Sequence, residues 1–265
     1  MRRWLLTLIG LAAALTVGPA AAQPPESAYK DWAAIVVAGD WRANDGGATE
    51  AFDNARRDVA ATLVGLGFRS ENLSQFSPRA ERYADTQPLR LTAQSMIETL
   101  KATASRAKAG CLIYYTSHGA PQGVVLDVRG QPYMFSPTEM AVLVDEACPG
   151  RPAIVIISAC YSGVFMSQLS GPQRMVMTAS RADRSSFGCS SEDKYPNFDA
   201  CFMESISAVR NFPALAPAIQ ACVTRLETAL RQSPPSEPQV SIDSDLRLRL
   251  AMMPFPRDAK AIQKP

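Results

Sequence analysis

Runs of consecutive apolar residues alternate with amphipathic stretches of helical period along most of this chain. Residues 33–37 form a compact apolar run that stops at Ala38-Gly39-Asp40, and a polar, glycine-bearing loop follows through Asp45-Gly46-Gly47. Residues 50–66 then place Phe52, Val59, Leu63 and Leu66 on or near one face, with Gly67 as the stop, which predicts a helix. A second helix is predicted over 91–108, with Met96, Ile97 and Leu100 apolar and Gly110 closing it. Residues 111–116 are β-branched and aromatic and predict a buried strand. Ser136 and Pro137 open a third helix through 146, a cap residue followed by a proline whose missing N–H costs nothing at a helix start. The run Ala-Ile-Val-Ile-Ile-Ser at 153–158 is the most strand-like in the chain, and 174–179 predicts another strand. Helices follow over 198–210 and 214–231, with a late strand at 239–242. Leu246-Arg247-Leu248-Arg249 alternates as an edge strand would.

Apolar strands separated by amphipathic helices predict an α/β fold: three layers, with a mostly parallel central sheet and helices on both faces. The connections are short, and no change of composition marks a second unit, so residues 23–265 read as a single domain. Residues 1–22 read as a signal peptide. Arg2 and Arg3 give a positive start, a mostly apolar run follows to Val17, and Ala20-Ala21-Ala22 supplies small residues for cleavage. The apolar run is shorter than the roughly 20 residues that a bilayer demands. The mature protein is therefore expected to be exported, periplasmic or secreted, with no membrane attachment after signal cleavage.

Charge narrows the choice of partner. The 27 Lys and Arg are nearly balanced by 25 Asp and Glu, and removing Arg2 and Arg3 makes the balance even. A nucleic-acid binder needs a basic face, so that class is not favoured. No P-loop, dinucleotide fingerprint or paired-cysteine zinc motif occurs, and one histidine cannot make a multi-histidine metal centre. No metal and no organic cofactor is expected. Six cysteines in an exported chain suggest disulfides. If one is a free catalytic thiol, an odd number remains and at most two bridges form. Cys111, inside an apolar run, reads as a buried free thiol. Cys148, Cys189, Cys201 and Cys222 read as the bridge formers.

Two predicted strands end in reactive residues: Thr116-Ser117-His118-Gly119-Ala120 and Ser158-Ala159-Cys160-Tyr161-Ser162-Gly163. In open α/β sheets, functional groups collect beyond the carboxyl ends of the strands. If these two strands are neighbours, about 4.8 Å apart, imidazole and thiol stand side by side, as a cysteine nucleophile and its proton-transfer partner must. Gly119 leaves the adjacent backbone N–H open to a developing oxyanion. A lone histidine is commonly structural, and a cysteine after a buried strand is commonly inert. Both at strand ends, each flanked by small residues, favour chemistry. Order along the chain excludes papain-like and α/β-hydrolase arrangements, because His118 precedes Cys160 by 42 residues. The order that remains is that of a caspase-type sheet.

Those two blocks resemble the histidine and cysteine motifs of the legumain-like (C13) cysteine peptidases, a family that includes the GPI transamidase catalytic subunit. Val36-Val37-Ala38-Gly39, Thr178-Ala179-Ser180 and Ser185-Ser186-Phe187-Gly188 fit the same resemblance, which spans about residues 33–245. It implies a caspase-like three-layer sandwich and an exported, bacterial-type endopeptidase acting on peptides or proteins. Cys160 would be the nucleophile, His118 the proton carrier, and the Gly119 and Cys160 N–H groups the oxyanion donors. Acyl transfer to an amine through the same acyl-enzyme, and a non-catalytic binding module on the same fold, are the alternatives. Ser158 stands where legumains carry Glu. The resemblance puts Asp53, Ser158, Ser185 and Asp199 at the substrate pocket. Two carboxylates there without a fixed arginine would favour cleavage after Lys or Arg.

Overall fold

The structure, a computed structural model, describes residues 26–256. The expected signal peptide lies outside the described residues. In chain order the strands are β1 (Trp32–Ala38), β2 (Leu73–Ser77), β3 (Leu89–Arg90), β4 (Gly110–Thr116), β5 (Gly119–Ala120), β6 (Gly123–Val128), β7 (Gln131–Phe135), β8 (Ala153–Ser158), β9 (Arg174–Thr178) and β10 (Gln239–Ile242). The helices are α1 (Ala51–Gly65), α2 (Ala93–Arg106), α3 (Pro137–Ala147), α4 (Met166–Leu169), α5 (Asn197–Ile206), α6 (Phe212–Ala229) and α7 (Ser244–Ala251).

Seven strands make one sheet in the order β10-β9-β8-β4-β1-β2-β3, parallel throughout except for β10. Every residue of β1, β4 and β8 is buried, as continuous apolar runs require when a sheet is covered on both faces. Side chains alternate between the faces with period two. Val36, Tyr114 and Ile156 pack with α1, α5, α6 and α7 on one side. Val37, Tyr115 and Ile157 pack with α2, α3 and α4 on the other. This is the three-layer α/β sandwich that the patterning predicts.

Local chemistry explains the ends of elements. Ser136 accepts the Glu139 N–H, and the Glu139 carboxylate accepts the Ser136 N–H at 2.8 Å, so a reciprocal cap starts α3. Asp243 accepts the Leu246 N–H at 3.0 Å and starts α7. That corrects the edge strand expected at 246–249. Leu246 and Leu250 are both buried, one helical turn apart, and α7 puts them on the core side together. The β5–β6–β7 hairpin sheet between β4 and α3 has no counterpart among the expected elements.

The cysteine expectation is also corrected. Cys111 is bonded to Cys148, and Cys201 to Cys222, while Cys160 and Cys189 are free. Cys111 begins β4 facing the layer that holds α3, and Cys148 closes α3 on that side. An apolar run hides a disulfide as readily as a thiol. With sequence separations of 37 and 21, the chain-entropy argument gives each bridge about 3–4 kcal/mol.

Candidate active site

β4 and β8 are neighbours, in register with Thr116 opposite Ser158. The Ser117 N–H donates to the Ser158 carbonyl at 3.0 Å, extending the pairing beyond the strands. His118 and Cys160 each lie two residues past a paired position, at one edge of the sheet. The backbones then touch: a Cβ on Gly119 would lie 2.0 Å from the Cys160 carbonyl oxygen. No other residue fits there.

The imidazole is held on two sides. Its Nε2 lies 2.8 Å from the Arg42 carbonyl oxygen. A carbonyl only accepts, so Nε2 carries the proton and Nδ1 is left as the base. Phe52, on α1, meets the ring edge to face at 5.0 Å. The Arg42 carbonyl is itself fixed. Asp40 accepts the Trp41 N–H at 2.7 Å and the Arg42 Nη1 at 2.7 Å, and Asp127 takes the other end of the guanidinium. Sequence reasoning missed Arg42 because its contribution is a backbone oxygen, which no side-chain pattern marks.

The thiol is held by one residue. Cys160 Sγ accepts the Ser186 N–H at 3.3 Å and lies 3.4 Å from the Ser186 carbonyl and 3.6 Å from its hydroxyl. Tyr161 sits in the left-handed region at φ 57°, where a bulky residue is strained, and its N–H donates to the Arg184 carbonyl at 2.8 Å. A Cβ on Gly163 would lie 2.3 Å from the Ala182 nitrogen, so the turn after Cys160 packs directly on the segment that carries Ser186. Ser185, the expected pocket residue, is partly exposed on that segment, and its neighbour Ser186 makes the sulfur contacts.

The two expected pocket carboxylates are not brought together as free groups. Asp53 is buried and bonded to Arg56 at 2.9 Å and to the Tyr83 hydroxyl at 2.9 Å. Asp199 is fully buried beneath the strand ends. It accepts hydroxyls from Thr116 at 2.8 Å, Ser158 at 2.8 Å, and Tyr114. Burial pushes its pKa up to about 6, and those hydroxyl donors pull the other way. The expectation of a two-carboxylate pocket for Lys or Arg is corrected: Asp53 has its own arginine, and Asp199 is turned inward on strand hydroxyls. Ser158 is buried, its hydroxyl committed to Asp199.

A three-layer sandwich of this order, with histidine and cysteine at adjacent strand ends, is a caspase-like fold. Residues 89–211 match the Peptidase C13 family, and with the caspase-like fold this match supports a legumain-like cysteine peptidase. No curated protein sequence is significantly similar to the chain. Among solved structures it is similar to caspase-1 from Spodoptera frugiperda, with a TM-score of 0.56 at 14% identity, covering 87% of this chain and 93% of that one. It is also similar to a protein from Geobacter sulfurreducens, with a TM-score of 0.55 at 12% identity, covering 84% and 96%.

Proposed function

We propose that the protein is an exported endopeptidase in which Cys160 and His118 form the catalytic dyad. The observation that carries this reading is the fixed imidazole: with Nε2 bound to the Arg42 carbonyl, Nδ1 is the nitrogen left free, on the strand next to the one that ends at Cys160. His118 takes the thiol proton as Cys160 Sγ attacks the scissile carbonyl. Charge develops on the carbonyl oxygen, where the Gly119 and Cys160 N–H groups are the donors. As the intermediate collapses, the C–N bond breaks and His118 gives its proton to the leaving amine. A water that gives a proton to His118 then hydrolyses the thioester. The two disulfides support export, since such bonds persist in oxidising compartments. Among the described residues no helix is long and apolar enough to cross a membrane.

The test is hydrolysis of an unstructured protein by the purified chain and by its Cys160→Ala and His118→Ala variants. Both variants are expected to be inactive and to melt with the parent. Activity surviving in Cys160→Ala would overturn the assignment.

A further inference from the structure

The C-terminal edge of the sheet holds a second feature, on the far side of His118 from Cys160. A cleft of about 470 Å³ opens there, lined by Trp41, Arg79, Arg90, Arg129 and Glu81, with Asp127 in its wall. The carboxylates do not balance the arginines. Asp127 is buried and occupied by Arg42 and the Gly130 N–H. Arg79 is paired with Glu50 at 3.1 Å and with Asp53 at 3.7 Å. The surplus charge of the cleft therefore lies on Arg90 and Arg129, with Glu81 as the one further carboxylate of the lining. Among the described residues, neither Arg90 nor Arg129 has a carboxylate within 4.0 Å, and both are exposed. Arg79 is 9% exposed, its Nε has no hydrogen-bond partner, and its guanidinium lies 5.4 Å above the Trp41 ring. A concavity of this size with two unpaired arginines at its rim suits an anion.

The strand order says which anion. From β8 to β3 the edge presents Cys160, then His118, then the Arg42 loop after β1, then Arg79 and Arg90 at the ends of β2 and β3. His118 hands its proton to the leaving amine, so the substrate on the amine side departs toward β1, β2 and β3. Strands lie about 4.8 Å apart and an extended residue spans about 3.3 Å, so the cleft lies about two to four residues past the scissile bond. Resting on the dyad reading above, we infer that this arginine cleft recognises a carboxylate on the leaving-group side of the substrate, two to four residues after the cleaved bond.

The direct test is calorimetric binding of the released fragment, using the tetrapeptide amides Gly-Glu-Glu-Glu and Gly-Gln-Gln-Gln. The acidic amide is expected to bind the parent at least tenfold tighter, and to lose that advantage in the R90Q/R129Q double variant and in 0.5 M salt. Both substitutions are at exposed positions, and circular dichroism checks the fold. A free-acid form of the glutamine peptide separates sources: a gain over its amide assigns part of the recognition to a chain terminus. Equal binding of the two amides, or an advantage that survives in the double variant, would overturn the inference. The binding readout needs no turnover. Tight acidic binding to a protein that hydrolyses nothing would therefore leave the cleft standing and remove the peptidase reading instead.

Discussion

Two free thiols lie on the same side of this molecule, and their surroundings could hardly differ more. Cys160 is partly exposed at a strand end, faced by the Ser186 N–H and next to the strand that carries His118. Cys189 follows only three residues after Ser186 but is buried in a small cluster with Ala38 and Phe52. Burial first, and then the nearby Cys160, Asp193 and Asp199, push the Cys189 thiol up to about 12. One sulfur stands where a substrate can reach it with an N–H aimed at it. The other is packing for the phenyl ring that steadies the histidine. Composition counts the two alike, and only position separates the proposed nucleophile from a packed thiol.

The widest gap between them is expected in activity. Replacing Cys160 with Ser should lower hydrolysis by at least about 1,000-fold with little change in melting temperature, because only the reacting atom is altered. Replacing Cys189 with Ala should instead keep activity within a few-fold and cost about 1 kcal/mol of stability through lost packing. Kinetics with thermal denaturation on both variants reads this, and a larger activity loss at Cys189 would reverse the comparison.

The contrast sharpens at the histidine's support. Asp40→Ala frees the Trp41 N–H and the Arg42 guanidinium, and so loosens the carbonyl that holds Nε2. A drop in kcat of about 10–100-fold with KM nearly unchanged is expected, since misplacing a reacting group acts on the chemical step. A change confined to KM would argue that Asp40 touches substrate rather than positioning His118.

Asp199 supplies a smaller, pH-dependent effect. Its folded pKa, about 6, lies above the ordinary 3.8 because burial penalises the charge. The folded state therefore holds the proton more tightly, and this group's destabilisation is full above about pH 6 and disappears as pH falls toward 4. By linkage, that difference between the folded and unfolded chain is worth about 3 kcal/mol at most. Asp199→Asn should flatten the rise in melting temperature between pH 7 and 4. An unchanged slope would place that titration elsewhere.

What the sequence disclosed follows from where the information sits. β4 and β8 were legible because strands buried on both faces need unbroken apolar runs, and the placing of His118 and Cys160 just past their ends came with them. Phe52 was legible as part of an apolar face, but not as the ring against His118. The hairpin β5–β7 escaped because β5 has only two residues and β7 is mostly exposed and carries a proline, so β6 had no legible partner. α7 was misread since Leu246 and Leu248 alternate, although Leu246 and Leu250 are the pair that packs. The Asp53–Arg56 pair did carry a signal, opposite charges three residues apart on a predicted helix, and weighing it would have removed Asp53 from the pocket. Ser186 was not singled out because its main contribution to the sulfur is a backbone N–H, which no side-chain pattern marks. The Arg42 carbonyl and the Cys111–Cys148 bond could not be read, because backbone direction and pairing are properties of the fold.

The most direct measurement is timed alkylation of the folded protein with iodoacetamide, following residual hydrolysis and the site of each adduct by peptide mass mapping. Activity should fall in step with modification of Cys160, reaching zero at one adduct per chain, while Cys189 stays unmodified. Full hydrolysis by a chain wholly alkylated at Cys160, or a loss of activity that tracks Cys189, would contradict the account.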